Sequence, residues 1–392
     1  MGRAVAGGAN AEADDGGVQL VSVSWNQDST HFGVVTTADF RVFDCSSPFH
    51  EKLRRGLPHG AGDGYAMVGV EMLFRSEIFA LVAAAGGEGG SGRSRVVVWD
   101  DRENRSISDI LEFQSDVVRA VRVSKDYLVV VLDRVVRVYG LRASARPLWR
   151  IATALNPQGL CCLSCHVDVD VLACLGTARG QVRVDRLGKN PETRFIVAHS
   201  SHVACMAMTV DGAVLATASV KGTLVRVFST MDGTCLQQVR RGLDPAEIHS
   251  IALSPNLQWL AVCSDKGTLH VFSLRVRVEA KDAAGHKQSA DQAASSIVQT
   301  KTASNARSSL SFMKVILPDY FSSEWSFAQF RLPETTTYVT AFGEQQNTVM
   351  IIGMDGSFYR CSFDPVNGKE MVRKEYFRFL KDKDSPPFRA RV

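Results

Sequence analysis

The chain runs to 392 residues, 45% of them hydrophobic, which is ample for one large core. Its formal net charge of +4 is too mild to mark a nucleic-acid binder by bulk charge, so any anionic partner must be met locally. Nine cysteines scattered through strand-like segments suit a reducing compartment, and the longest apolar stretch, Ile78 to Ala85, is far too short to span a bilayer.

Residues 1–17 are rich in Ala and Gly, acidic towards their end, and lack the apolar run of a secretory signal, which predicts a disordered lead. Beyond them one unit recurs: a small or polar turn, then β-branched residues in alternation, ending in an aromatic or apolar pair. Its copies are Asp39-Phe40-Arg41-Val42-Phe43, Arg95-Val96-Val97-Val98-Trp99, Val135-Val136-Arg137-Val138-Tyr139 and the weaker Gln181-Val182-Arg183-Val184. Two strong copies follow, ending at Phe228 and Phe272, and a weaker one at Asp355-Gly356-Ser357-Phe358-Tyr359. Spacings of about 40 to 56 residues match one four-stranded propeller blade. Long helical patterns are missing. The prediction is an all-β, seven-bladed β-propeller of the WD-repeat kind over residues 18–380; a solenoid or paired β-sandwiches explain the even spacing less well.

The last interval is about twice the period, which predicts an insertion. It falls after Leu274, from Arg275 to about Ser309, rich in Ala, Ser, Gln and Lys and without an aromatic residue, the composition of a flexible polar loop. Ile297-Val298 is its only apolar pair before Leu310, so an amphipathic helix would have a weak face, while Lys281, Lys287, Lys301 and Arg307 suit an anionic surface. The tail over 381–392 reads as solvated and disordered.

Cys161-Cys162-Leu163-Ser164-Cys165-His166 has no second ligand pair at zinc spacing, so buried thiols are expected and no metal. No nucleophile elbow or P-loop is present, and Asp63-Gly64-Tyr65 and Asp232-Gly233-Thr234 are ordinary turns. No catalytic residue and no cofactor are expected. The aromatics sit mostly inside the strand repeats, unlike the exposed stacking platform that a nucleic-acid binder needs.

The most informative run is Val239-Arg240-Arg241-Gly242. It lies between two near-copies, Leu215 to Phe228 and Leu260 to Phe272, each a strand, a Ser-x-Lys-Gly-Thr turn and a second strand. In an extended stretch adjacent side chains point to opposite sides, so two arginines would serve two sites. Leu53-Arg54-Arg55-Gly56 spells a similar run but lacks such flanking turns, and reads as a solvated basic edge.

These residues resemble the PROPPIN family, the autophagy-related, phosphoinositide-binding β-propellers also called the WIPI type. The resemblance covers about residues 18 to 380. It includes Glu71-Met72-Leu73-Phe74-Arg75, Val96 to Asp101, Asn156-Pro157-Gln158-Gly159-Leu160, the Arg-Arg-Gly region, and Leu317-Pro318-Asp319-Tyr320-Phe321-Ser322-Ser323-Glu324-Trp325-Ser326-Phe327-Ala328. Val239 stands where the family usually has Leu or Phe.

A phosphorylated inositol needs forked cations, hydroxyl donors and close backbone, and Arg, Lys, Ser, Thr and Gly supply these. The first pocket would use Arg240 with Ser219, Lys221, Thr223 and Arg226; the resemblance adds a histidine, His199, with His202 as the competing choice. The second would use Arg241 with Ser264, Lys266, Thr268 and His270, and His249 is a further candidate. Either turn alone is a common WD-repeat joint; both turns around one arginine pair favour binding.

The resemblance implies phosphatidylinositol 3-phosphate or the 3,5-bisphosphate as ligand and recruitment from the cytoplasm to preautophagosomal and endosomal or vacuolar membranes. It implies the autophagy bridge-like lipid-transfer protein as partner, docking near Phe74 to Glu77, although Ala83 to Gly92 departs from the usual pattern there. It also equates the insertion with a loop that in the family reaches the bilayer. The competing reading is a WD-repeat scaffold that binds proteins only.

Overall fold

The computed structural model describes residues 3–5, 18–56, 64–85, 92–108, 110–142, 146–165, 169–276, 305–307 and 324–380. Among these there is no helix, and the strands form seven antiparallel-based sheets in chain order. Each sheet is one propeller blade. Blade 4 is typical: Cys161–Leu163, Val171–Leu175, Gln181–Arg186 and Glu192–Val197 pair in sequence from axis to rim.

Every sequence copy of the repeat is the third strand of one blade: Asp39–Asp44, Ser94–Asp100, Val135–Gly140, Gln181–Arg186, Leu224–Ser229, Thr268–Ser273 and Ser357–Ser362. The third strand is paired on both edges, buries one face and leaves the other half-buried, so apolar and polar residues alternate along it. The second strand, by contrast, is buried on both faces and carries no such alternation. Val96, Val136, Val182, Val225 and Leu269 on these strands have no exposed surface.

Seven buried clusters hold the ring together, each joining one blade to the next. The seventh closes the circle, packing Val339, Ile352 and Phe358 of blade 7 against Val23, Phe32 and Phe43 of blade 1. Among the described residues no strand is shared across this seam. Stacked aromatics (Phe49 on Phe358, 4.6 Å between centroids) and the Arg360 bond to the Cys45 carbonyl hold it instead.

Of the expected disordered lead, Arg3–Val5 is a strand against the inner edge of blade 1, Arg3 opposite Ser24; the rest of 1–17 and the tail 381–392 lie outside the described residues. The insertion joins the third and outer strands of blade 6, and that outer strand begins only at Ala328. Residues 277–304 and 308–323 lie outside the described residues, and so does His166. All nine cysteines are unpaired, and burial pushes the Cys174 thiol up to about 12. No described helix is long and apolar enough to cross a membrane.

Candidate functional site

In an antiparallel blade the turn between second and third strands lies at the same end as the link to the next blade. The two Ser-x-Lys-Gly-Thr turns therefore share one end of blades 5 and 6 with the 241–247 link, which is stitched between them. Ala246 donates its N–H to the Lys221 carbonyl (3.2 Å), and on the other side Asp265 and Glu247 exchange bonds of 3.0 Å. Gly222 was expected to admit a ligand; it admits this link instead. Its φ is +63°, and a Cβ there would lie 1.7 Å from the Ala246 carbonyl oxygen. Gly267, at φ +61°, likewise meets the Leu332 carbonyl.

The arginine pair divides. In the outer strand Cys235–Arg240, Arg240 is opposite Leu224 and Gln238 opposite Arg226, so Arg240 shares the Arg226 face, toward blade 4. Arg241 follows the strand, its N–H bonded to the Thr223 carbonyl. Its side chain is buried toward blade 6, with Nε donating to the Gly222 carbonyl (3.0 Å) and Nη2 to the Asp244 carbonyl. Arg241 is thus also a framework cation that holds the link on the first turn.

The first cleft brings together His199, Arg226 and Thr217. His199 is buried with Nε2 2.9 Å from Thr217 Oγ1, and Arg226 donates to the Ala198 carbonyl (2.6 Å) and Gln238 Oε1 (2.8 Å). Burial, then the adjacent Arg226 charge, push the His199 pKa down to about 4. His202 is exposed, and its carbonyl accepts the Val220 N–H (2.9 Å), so of the two candidates His199 is the one beside Arg226. Ser219 is buried, Thr223 half-buried and Lys221 exposed.

The second cleft repeats the pattern with Arg241 as its guanidinium. His270 is buried, and burial followed by the Arg241 charge lowers its pKa to about 4. The Nδ1 atoms of His270 and of half-buried His249 have no hydrogen-bond partner among the described residues. Ser264 is buried and caps its own turn, accepting the Lys266 N–H (3.4 Å); Thr268 is half-buried, its hydroxyl bonded to the Lys266 carbonyl. Lys266 is exposed, with Nζ 3.2 Å from Asp265. Asp265, which also acts on Arg241 and His249, is the carboxylate that the sequence reasoning passed over. The signal was the second residue of the turn, Val220 in one copy and Asp265 in the other.

The rival arginine run is neutralised. Arg55 forms a bidentate pair with Asp101 of blade 2 (2.9 Å for both bonds) and Arg54 one with Glu51. Two arginines on the outer strand of blade 1 with their own carboxylates make a joint.

The insertion returns to the strand that carries the arginine pair. Glu324–Trp325 pairs in parallel with that strand, Val239 opposite Glu324, and Ala306–Arg307 pairs with Glu324–Trp325 in turn. Buried Asn305 is the clasp: it accepts from the Ser273 N–H (2.6 Å) and donates to the Ser273 carbonyl (2.8 Å) and Glu324 Oε2 (2.7 Å). Gln237 adds bonds to the same two groups. The expected loop over 275–309 therefore has a fixed point near its end. No sequence pattern announces a single asparagine in a polar run.

Together these features define a closed seven-bladed propeller of WD-repeat build, with two histidine–guanidinium clefts at adjacent blade edges. The chain belongs to the PROPPIN family, whose model matches residues 19–375. It is similar to Autophagy-related protein 18e of Arabidopsis thaliana, 42% identical over 365 residues, covering 93% of this chain and 88% of the relative. Autophagy-related protein 18 of Dictyostelium discoideum is 27% identical, covering 93% and 95%. Among solved structures, Kluyveromyces lactis Hsv2 with a complete loop 6CD aligns with TM-score 0.68 at 22% identity, covering 91% and 98%, which establishes the fold.

Proposed function

We propose that this protein is a non-enzymatic phosphoinositide effector that binds phosphatidylinositol 3-phosphate, the 3,5-bisphosphate, or both, at the two clefts. The observation that carries the reading is the repetition of one cationic design on either side of Arg240-Arg241. Each cleft pairs a buried neutral histidine with a guanidinium, beside a glycine turn bearing an exposed lysine. A phosphorylated inositol offers these cations several negative oxygens, and the unpaired Nδ1 of His270 is a further hydrogen-bonding group in the second cleft. Two such sites on one rigid body give a bilayer-bound protein high effective concentration at the second headgroup.

The names of the relatives support a role in autophagy; we propose that this role is autophagosome formation, with the protein cytoplasmic and peripheral on preautophagosomal and endosomal or vacuolar membranes. The bridge-like lipid-transfer protein is proposed to dock near Phe74 to Glu77, where Arg75 is exposed and ion-paired with Asp28 and Glu344. The test is liposome flotation across a phosphoinositide panel with wild type and Arg240→Thr/Arg241→Thr. Lipid-selective flotation lost in a folded variant supports the reading. Equal flotation by both proteins would leave the protein-only scaffold.

A further inference from the structure

The outer strands of blades 5 and 6 end on matching triplets, Gln238-Val239-Arg240 and Gln329-Phe330-Arg331. The register matches too. Gln238 is opposite Arg226 and Arg240 opposite Leu224, the first residue of its third strand; Gln329 is opposite His270 and Arg331 opposite Thr268, again a first residue. Directly opposed side chains share a sheet face, so Arg331 stands on the face that carries Thr268 and His270. That face looks to blade 5. The alternate residues Leu269 and Val271 pack into the cluster shared with blade 7, and Phe330 packs there as well, its ring 6.3 Å from Tyr359. Arg331 therefore enters the second cleft from the blade 6 wall, facing Arg241 on the blade 5 wall.

The cations first assigned to this cleft are already engaged. Arg241 commits Nε and Nη2 to the Gly222 and Asp244 carbonyls, and Lys266 Nζ lies 3.2 Å from Asp265. Arg331 is exposed, and its side chain has no hydrogen-bond or ion-pair partner among the described residues; neither Asp265 nor Glu334 pairs with it. Blade 7 supplies the contrast. Arg378, opposite Ser357 in the same register, is ion-paired at 3.4 Å with Asp355, which stands in its turn where Lys221 and Lys266 stand in theirs. A single exposed arginine is ordinary. One that repeats Arg240 in register, on the cleft face and without a counter-ion, is placed for an anionic ligand.

We propose that Arg331 is a headgroup-binding residue of the second cleft, the counterpart of Arg240, whose guanidinium fork takes a phosphate of the inositol. This rests on the phosphoinositide reading and completes its second site. A fork that is uncommitted in the unliganded protein gives both parallel N–H groups to one phosphate, which the engaged Arg241 and the point charge of Lys266 do not.

The full chain is titrated with water-soluble inositol 1,3-bisphosphate and with phosphatidylcholine vesicles containing phosphatidylinositol 3-phosphate. Arg331→Gln should lose about tenfold or more in affinity at one of two soluble-headgroup sites and float less than wild type. Arg331→Lys, a charge without the fork, should recover only part. Lys374→Gln, exposed on the outer strand of blade 7, should match wild type in both assays. The urea midpoint of Arg331→Gln should stay at the wild-type value, because no described partner is lost. Soluble-headgroup titration by Arg331→Gln like that of wild type would overturn the assignment. So would an equal loss in Lys374→Gln, which reduces the effect to net charge, or a lowered urea midpoint, which reduces it to stability. Inorganic phosphate that binds wild type as tightly as the headgroup would make this a general anion site instead. Wild type that binds neither headgroup nor vesicle would overturn the phosphoinositide reading itself.

Discussion

His199 and His270 make the protein acid-sensitive in a window set by their burial. Each has its pKa lowered in the folded chain from 6.5 to about 4. A histidine so shifted takes up its proton more readily when unfolded, so its cost to the fold is absent above pH 6.5. That cost grows as pH falls towards 4 and is complete below it. The displacement corresponds to about 3 kcal/mol for each histidine. His31 and His249, lowered in the same direction by burial, add to the effect. Asp28 and Asp44 are held below the usual carboxylate range although burial opposes it, by bonds from Thr30 and Ser46 respectively, so their stabilisation is lost only below that window. The measurement is the urea midpoint from pH 7 to 4 for wild type and for His199→Gln/His270→Gln. Wild type should lose stability steeply between pH 6.5 and 4, and the variant should lose about 6 kcal/mol less across it. Parallel curves for the two proteins would refute the buried-neutral assignment of both clefts.

Three further outcomes are expected. Arg241→Ala strips a charged donor from the Gly222 and Asp244 carbonyls and should cost about 2 kcal/mol or more. Arg240→Ala, at a half-buried strand end, should cost about 1 kcal/mol or less; identical urea midpoints would contradict the framework role of Arg241. Gly222→Ala drives a Cβ into the Ala246 carbonyl and should cost about 3 kcal/mol or more, against about 1 kcal/mol for Gly64→Ala, which is also left-handed but open. Thermal unfolding of the pair decides this, and equal costs would refute the packing role of Gly222. Asn305→Ala removes both bonds to Ser273, so hydrogen exchange at the Ser273 amide and at Glu324–Trp325 should accelerate, by roughly tenfold for about 1.4 kcal/mol of lost local stability. Unchanged exchange would show that the clasp is held elsewhere.

Much of this protein was legible in one dimension. Third strands announce themselves because they bury one face and leave the other half-buried, which imposes alternation on runs such as Val135 to Tyr139. Counting them yields the blade number, and the twin turns around Arg240-Arg241 single out blades 5 and 6. What the tertiary structure decided was every relation between residues far apart in the chain. A basic run reads the same whether or not a carboxylate waits across a blade boundary, and only the fold places Asp101 against Arg55 while leaving Arg241 bonded to carbonyls. A glycine after lysine looks open until the next link is laid over it, as Ala246 is over Gly222. Composition alone does not separate His199 from its rival His202; the step from blade 4 to blade 5 buries one beside Arg226 and turns the other to water. Asn305 becomes a clasp only because the insertion returns to the strand that carries the arginine pair. Local pattern encodes periodicity and turn chemistry, whereas burial, counter-ions and closure are set by contacts across blades, which periodicity does not record.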